Sequence, residues 1–306
     1  KKNMKIIFNL ISINVLLINI IYAQYDKNYK IIKSKLNTTE NLRIISLDGT
    51  TTEVLFALGL GGNIVGRDTS SYYPQKAQEI KSVGYKYKLN SEGILSLRPS
   101  IILGQEDVKP KNVIKQIKQA NIPILLNKDI NNCSLTIDYI RFLGNLFNKK
   151  NVSEILIDEI EKDLIKINDL KKKIIKPYKK VIMLYIRGNK LKLILGKGTG
   201  PSKMLDYINV NNLGNEIDGA KPINAESLIN LNPDVIIFFR KGVESINGIQ
   251  GIKNINGLSL TNSGKNDRYV IMDDLYLGGF GPRCTKAVLD LFIGVHESEG
   301  IYKSDG

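Results

Sequence analysis

Blocks of apolar and polar residues alternate along most of the chain and predict a regular succession of strands and helices. The segment RIISLDGTTTEVLFALGLGGNIVGRD, residues 43–68, starts with a β-branched run, turns at Asp48-Gly49, continues as an apolar helix that stops at glycine, and ends in a second β-branched run. A strand, a helix and a second strand at this spacing are typical of parallel α/β folds. We therefore predict an α/β protein.

Two distant segments of the chain share one pattern. LNSEGILSLRPSIILGQE (89–106) and INAESLINLNPDVIIFFR (223–240) each contain asparagine, a small residue, glutamate, a short helix ending in leucine, and a proline before a strand of Ile or Val. Such an internal repeat predicts two lobes that are built alike. Two similar lobes imply a cleft between them.

A long amphipathic helix is predicted between the lobes, in NVSEILIDEIEKDLIKINDLKKKIIKP (151–177). Asn151 and Glu154 provide an N-terminal cap with a reciprocal acid, apolar residues recur every three or four positions, and Pro177 stops the helix. Such a helix would be about 39 Å long and would act as a spine, so only small lobe motions are expected. The predicted organisation is an N-terminal lobe over 24–150, the spine helix over 151–177 and a C-terminal lobe over 178–306.

The N-terminal residues have the pattern of an export signal. KKNMKIIFNLISINVLLINIIYAQ has a basic start, a mostly apolar run over 6–21 and the small residue Ala23. This predicts a signal peptide over 1–23, cleaved after Ala23, with Met4 as the natural start. The apolar run is shorter than about 20 residues and is interrupted by asparagines, so it is poorly suited to an uncleaved spanning helix. We expect a periplasmic protein.

The net charge of +14 would suit an anionic ligand, a membrane surface or nucleic acid. The lysines are scattered among Ile and Asn, however, and do not form one basic stripe with interleaved aromatic residues. We therefore predict a solvated, lysine-rich surface and no nucleic-acid partner. The two cysteines, Cys133 and Cys284, can form one disulfide in an exported protein, although their spacing does not require it.

The sequence contains no recognisable catalytic set. A hydrolase or transferase needs a nucleophile beside a base, or clustered carboxylates and histidines, whereas the single histidine is His296 in GVHESEG. We predict that His296 is exposed to solvent, and a metal site built on several imidazoles is excluded. In LKLILGKGTGP (191–201) the glycine spacing does not fit a dinucleotide fingerprint, so a tight strand-to-helix turn is predicted. We expect a protein that is not an enzyme.

Two loops rich in glycine and aromatic residues carry the remaining chemistry. GRDTSSYYPQ (66–75) follows strand-like sequence in the first lobe, and MDDLYLGGFGPRC (272–284) follows strand-like sequence in the second. Ligands of open α/β sheets bind at the carboxyl ends of the strands, so we expect the two loops to face each other across the cleft. The cleft would then offer two arginines and three aromatic residues: Arg67, Tyr72, Tyr73, Phe280 and Arg283.

This set of side chains suits haem. Haem has apolar faces, two propionates that pair with arginine forks, and a ferric iron that accepts an oxygen anion from tyrosine. Because a free phenol has a pKa near about 10, binding it as a phenolate requires help from the iron and from a nearby cation, for which Arg67 is the candidate. Taken alone, a Tyr-Tyr-Pro loop also fits ordinary packing and turn chemistry.

Three segments carry a resemblance to a known family: VGRDTSSYYP (65–74), VGYKYKLNSEGILSLRP (83–99) and DDLYLGGFGPR (273–283). From about Arg43 to Ile293 the chain resembles the periplasmic haem-binding proteins of bacterial haem importers, within the cobalamin and siderophore class of substrate-binding proteins. The first and third segments are fairly specific to the haem branch, and the second marks the wider class. The resemblance implies the class III, TroA-like fold, in which two similar lobes are joined by a single long helix.

The resemblance also implies roles for individual residues. The tyrosine immediately before the proline is the axial iron ligand of that branch, which falls on Tyr73 and leaves Tyr72 as a wall residue. The loop arginines, Arg67 and Arg283, become the expected propionate or rim contacts, with Phe280 beside them. Some members add a histidine shortly after the first strand of the second lobe, but VIMLYIRGNKLKL contains none. One five-coordinate ferric haem is therefore expected.

The resemblance also implies a role for the glutamates of the repeated segments. In this class a glutamate on the upper surface of each lobe docks onto arginines of the membrane permease, and these positions correspond to Glu92 and Glu226. Both glutamates could instead only cap or solvate their short helices. The expected function is the capture of haem by a monomer and its delivery to an ABC-type import permease. A ferric-siderophore or cobalamin binder of the same fold is the alternative.

Overall fold

Two β-sheets, one in each lobe, organise the part of the chain that this computed structural model describes, residues 31–36 and 41–306. The signal peptide predicted for 1–23 lies outside the described residues. Each lobe combines parallel strands with helices, which confirms the predicted α/β class. None of the helices in the described ranges has the length and the apolar character that crossing a bilayer requires.

The sheet of the N-terminal lobe has four parallel strands in the order β2-β1-β3-β4. The strands are β1 (Ile44–Ser46), β2 (Ile64–Arg67), β3 (Ile101–Gln105) and β4 (Ile124–Asn127). The helices of this lobe are α1 (Gly49–Ala57), α2 (Ser91–Ser96), α3 (Lys111–Gln119) and α4 (Cys133–Leu146). Because the strands are parallel, their carboxyl ends lie along one edge of the sheet, and the loop with the two tyrosines leaves from this edge.

The C-terminal lobe contains a larger sheet of seven strands within the described residues. Parallel strands follow the order β11-β10-β9-β5, the short β7 also pairs with β5, and the antiparallel strands β6 and β8 extend the sheet beyond β5. The strands are β5 (Lys180–Arg187), β6 (Leu191–Leu195), β7 (Asn211–Asn212), β8 (Ala220–Pro222), β9 (Val235–Phe239), β10 (Tyr269–Met272) and β11 (Ile301–Ser304). The helices are α6 (Gly200–Met204), α7 (Ala225–Leu231), α8 (Arg240–Glu244), α9 (Ile249–Lys253), α10 (Asn262–Lys265), α11 (Asp274–Gly278) and α12 (Cys284–Phe292).

The sequence repeat occupies equivalent places in the two lobes. It forms α2 and β3 in the first lobe and α7 and β9 in the second, and β3 and β9 each lie beside the first strand of their own sheet. Asn90 and Asn224 cap the two helices, because each side-chain oxygen accepts a 2.8 Å hydrogen bond from a backbone N–H of the first turn. The prediction of two similarly built lobes is confirmed.

The lobes are connected by the long helix α5 (Lys150–Lys173). The predicted cap of this helix is wrong, because the residue before it is Lys149, which forms no side-chain cap, and Asn151 lies inside the first turn. Glu154 lies 3.6 Å from the guanidinium of Arg141 on α4 and does not close the helix end. One face of α5 packs into the main hydrophobic core, as the amphipathic pattern predicts.

The exposure predicted for the single histidine is also wrong. The ring of His296 packs against Phe292 with 4.7 Å between ring centroids, and its Nε2 lies 2.6 Å from the carbonyl oxygen of Ile208. This burial lowers the pKa of His296. The reason is a π-helical turn over Ile293–Glu297, which folds the ring back onto the lobe.

The glycine-rich segment 191–201 forms the predicted turn between β6 and α6. Gly196 is required at its centre, because a Cβ atom there would overlap the carbonyl oxygen of Ile217.

Candidate functional site

The loop that carries the two tyrosines follows β2 and is organised by a buried aspartate. Asp68 has no exposed surface, and its carboxylate accepts hydrogen bonds from the Ser70 N–H at 3.0 Å, the Ser70 hydroxyl at 2.6 Å and the Ser71 hydroxyl at 2.5 Å. Burial raises the pKa of Asp68, and these donors oppose the rise. The contacts fix the backbone that leads into Tyr72 and Tyr73.

Arg67 holds the same loop from its other side. Its guanidinium donates to the backbone carbonyls of Ala77 at 2.7 Å, Asp68 at 3.0 Å and Gln78 at 3.3 Å. The role of Arg67 as a propionate contact stays a prediction, and the contacts observed here are with the backbone of its own loop. The chain folds back after Pro74 and surrounds the guanidinium with carbonyl groups, so Arg67 shapes the loop.

Tyr72 bridges the two lobes. Its hydroxyl donates to the Asp273 carboxylate at 3.0 Å and accepts from the Leu275 N–H at 2.8 Å, both at the start of α11. The ammonium of Lys241 lies 3.5 Å from the ring centroid and covers one face of the ring. Burial, followed by the charge of Asp273, raises the pKa of Tyr72 far above its ordinary value. Tyr72 is therefore a neutral phenol that is poorly suited to bind iron.

Tyr73 meets the second loop through its ring. The guanidinium carbon of Arg283 lies 3.3 Å from the Tyr73 ring centroid. Within the described ranges, the Tyr73 hydroxyl has no hydrogen-bond partner, in contrast to the hydroxyl of Tyr72. The two loops thus face each other as the sequence predicts, but the cation beside Tyr73 is Arg283 and not Arg67.

Arg283 is fixed by a buried acid of the opposite lobe. Its Nε and Nη2 atoms donate to the two carboxylate oxygens of Glu53 at 2.9 and 3.1 Å, and the two side chains retain only 12% and 6% of their exposed surface. Burial opposes the charge of Arg283, but the hydrogen bonds and charge of Glu53 raise its pKa. Among the described residues, no group accepts a hydrogen bond from its Nη1, which is also buried. Nη1 is thus the one atom of this guanidinium that lacks an acceptor among the described residues.

Phe280 does not line the cleft, which corrects another prediction. Its side chain has no exposed surface and belongs to the main hydrophobic core, and its carbonyl accepts a 2.7 Å hydrogen bond from the Thr136 hydroxyl. The backbone at Phe280 is left-handed, with φ +49°, and the ring turns inward. The glycine-rich loop pattern gives no sign of this conformation.

Three further cations at the site are missed by the sequence analysis. Arg187 ends β5, and Arg240 and Lys241 directly follow β9, so all three lie at carboxyl ends of parallel strands. Arg187 lies 3.1 Å from the Asp274 carboxylate, and Arg240 forms an ion pair with Asp305. The available signal was their position immediately after or at the end of apolar strands. These cations alternate with the carboxylates of Asp273, Asp274 and Asp305 at the C-terminal side of the cleft.

The two glutamates predicted to contact a permease occupy matching positions. Glu92 is the second residue of α2, and Glu226 is the second residue of α7. Both side chains are exposed. A carboxylate in the first turn interacts favourably with the helix dipole, so capping and docking remain compatible with this geometry.

Comparison with known proteins identifies the family. Residues 44–276 match the family described as periplasmic binding protein. The chain belongs to this family. The periplasmic haem-binding protein RhuT of Roseiflexus sp. RS-1 has 33% sequence identity and a TM-score of 0.79, over 84% of this chain and 98% of that chain. A periplasmic haem-binding protein from Pseudomonas aeruginosa has 27% identity and a TM-score of 0.75, over 84% and 93% of the two chains.

Two sequence relatives widen the range of ligands to consider for this family. The ABC transporter substrate-binding lipoprotein YvrC of Bacillus subtilis is 28% identical over 254 residues, which are 82% of this chain and 79% of the relative. A vitamin B12-binding protein of Photorhabdus laumondii is 35% identical, but only over 83 residues, 27% of this chain and 30% of the relative. The family and its named members are binding proteins of transport systems.

Proposed function

We propose that this protein binds one ferric haem between its lobes through Tyr73 and delivers the haem to an ABC-type import permease. The observation that carries the proposal is the pair of Tyr73 and Arg283. Among the described residues no group is hydrogen-bonded to the Tyr73 hydroxyl, and a guanidinium from the other lobe lies on its ring. Ferric iron binds the oxygen of a tyrosine side chain as an axial ligand.

The arginines and the lysine at the C-terminal side of the cleft support an anionic ligand. Haem carries two propionates, which pair well with arginine forks. Among the described residues no group accepts from the Nη1 of Arg283, and Arg187 and Lys241 stand at strand ends on the same side. We assign the propionate contacts to these three cations, in place of the Arg67 and Phe280 contacts expected from the sequence.

The similarity to RhuT and to the haem-binding protein of Pseudomonas aeruginosa supports haem as the ligand class. Both matches cover at least nine-tenths of the neighbour and include both lobes of this chain. Cobalamin or a ferric siderophore is the second candidate, because a segment of the chain is related to vitamin B12-binding proteins. The free tyrosine hydroxyl favours haem, since it offers a ligand to ferric iron.

Delivery requires contact with the permease and no chemistry on the ligand. Glu92 and Glu226 are the proposed contacts, one on each lobe. A protein with both changed to Gln should bind haem normally but lose its stimulation of the ATPase activity of the reconstituted permease. Glu79→Gln, a change of another exposed carboxylate in the first lobe, should leave this stimulation intact. Normal stimulation by the double variant would remove the docking role.

The haem proposal is tested by titrating the purified protein with ferric haem and recording visible absorption. We expect saturation at one equivalent with a high-spin tyrosinate spectrum, which Tyr73→Phe abolishes. Tyr72→Phe is the matched control and should keep the spectrum, because its hydroxyl is bound to Asp273.

Two outcomes would contradict this proposal in different ways. If Tyr72→Phe lost the spectrum and Tyr73→Phe kept it, the iron ligand would be Tyr72 and the assignment to Tyr73 would be wrong. No saturable change in the wild-type protein would exclude haem. Cyanocobalamin and a ferric siderophore would then be tested by thermal shift, since the chain has no tryptophan to report binding by fluorescence.

A further inference from the structure

The two cysteines of the chain come from different lobes and meet in the core. Cys133 is the first residue of α4 in the N-terminal lobe, and Cys284 is the first residue of α12 in the C-terminal lobe. Both are buried, with 0% and 1% of their surface exposed. Both are free thiols, and the two helices that they begin pack against each other. The Cys133 side chain is among the neighbours that raise the pKa of Cys284.

The starts of both helices are fixed by neighbouring contacts. The Cys133 N–H donates to the Tyr207 hydroxyl at 3.1 Å, and the Thr136 hydroxyl, one turn later, donates to the Phe280 carbonyl at 2.7 Å. Arg283, directly before Cys284, is bound to Glu53 of the N-terminal lobe. The two thiols are thus held together by packing that does not depend on a bond between them.

We propose that Cys133 and Cys284 form a disulfide that joins the two lobes when the chain folds in an oxidising compartment. A single buried cysteine usually acts as a small apolar residue. Here the fold brings the only two cysteines of the chain into contact across a lobe boundary. Exported proteins meet the oxidising conditions under which such a pair closes.

The reaction is thiol–disulfide exchange with a small disulfide such as oxidised glutathione. The first cysteine thiolate attacks the oxidant and releases one thiol, and the second cysteine then attacks the mixed disulfide and releases the other. The two cysteines are oxidised, the oxidant is reduced to two thiols, and the protons of the cysteines pass to these thiols. Burial raises the pKa of Cys284, so the reaction belongs to folding, before the thiol is shielded.

The bond would connect the lobes at a second place, close to the candidate site. The helix α5 already links them, but the cysteine pair lies at the start of α12, next to Arg283. A crosslink there restricts separation of the lobes near the cleft and limits the freedom of the unfolded chain. This inference does not rest on the identity of the ligand.

The test is a thiol count on the full chain after refolding from denaturant in a glutathione redox buffer. The protein is quenched with acid, unfolded, alkylated and weighed by mass spectrometry. We expect a monomer that takes up no alkyl group, and that takes up two after reduction. Two alkylated cysteines without reduction, glutathione adducts or disulfide-linked dimers would each overturn the proposal.

A thermal measurement tests whether the bond joins the native lobes. A reductant should lower the melting temperature of the oxidised wild type by about 5 to 10 °C. It should leave the double variant Cys133→Ala/Cys284→Ala unchanged. If the reductant left the melting temperature of the wild type unchanged, or lowered that of the double variant equally, the crosslink would not stabilise the native arrangement. Either result would contradict the inference.

Discussion

Replacing Glu53 by Gln should destabilise the protein strongly, because it removes one half of a buried ion pair between the lobes. Glu53 and Arg283 have 6% and 12% of their side-chain surface exposed and share two hydrogen bonds at 2.9 and 3.1 Å. Removing one partner of a buried pair typically costs about 3–5 kcal/mol, since the remaining charge is left without compensation. Gln keeps one acceptor oxygen, and Arg283 keeps its contact with the Tyr73 ring. We therefore expect a loss of about 3 kcal/mol.

The measurement is the free energy of unfolding in urea, for the wild type and the variant under the same conditions. Asp158→Asn is the matched control, because Asp158 and Lys162 form a 2.6 Å ion pair whose side chains are 61% and 72% exposed. An exposed pair of this kind contributes little to stability. If Glu53→Gln and Asp158→Asn lose the same small amount, the pair between the lobes is not a buried electrostatic contact and the reasoning fails.

Three further changes test other parts of the structure. Burial raises the pKa of Asp48 to about 6, so the folded protein favours the neutral acid and loses stability as the pH rises from 4 to 6. The free energy of unfolding of Asp48→Asn in urea, relative to the wild type, should rise by up to about 3 kcal/mol from pH 4 to pH 7. A difference between the two proteins that does not change with pH would contradict this. Arg187→Ala should weaken haem binding about tenfold without changing the absorption spectrum, whereas Lys190→Ala, on the exposed hairpin, should not. Gly196→Ala should cost about 2 kcal/mol or more in urea unfolding, because its Cβ would overlap backbone, whereas Gly62→Ala has open space and should cost little.

The features that the sequence predicts well are those with local patterns. The strand-helix-strand periodicity and the amphipathic helix between the lobes are each readable within about 30 residues. The repeat follows from comparing 89–106 with 223–240. The meeting of the two loops also follows, because parallel strands place their carboxyl ends on one edge. The ends of helices are harder to predict from local patterns. The helix α5 begins after Lys149, which forms no side-chain cap, and not after the predicted cap Asn151.

The roles of the two arginines could not be separated from sequence alone. Arg67 and Arg283 each lie in a loop with aromatic residues and look equivalent. They differ through tertiary contacts: the partner of Arg283 is Glu53, 230 positions away, whereas Arg67 is enclosed by carbonyls of its own loop. Phe280 was misassigned for a similar reason, because its left-handed backbone is not encoded in a recognisable turn motif.

The contacts that join the lobes lie beside the candidate site and differ in strength. The weaker contact should break first when a ligand enters. Tyr72 and Asp273 form a hydrogen bond to a charged group, worth about 1.5–3 kcal/mol, whereas breaking the buried pair of Arg283 and Glu53 costs about 3–5 kcal/mol. A ligand that enters between the loops should therefore displace the Tyr72 contact first and leave the Arg283 side closed. Tyr72→Phe should then bind haem with a faster association rate in stopped-flow absorption, by about 10- to 150-fold if the whole contact is broken before entry. An unchanged association rate would mean that the ligand enters without separating these two residues.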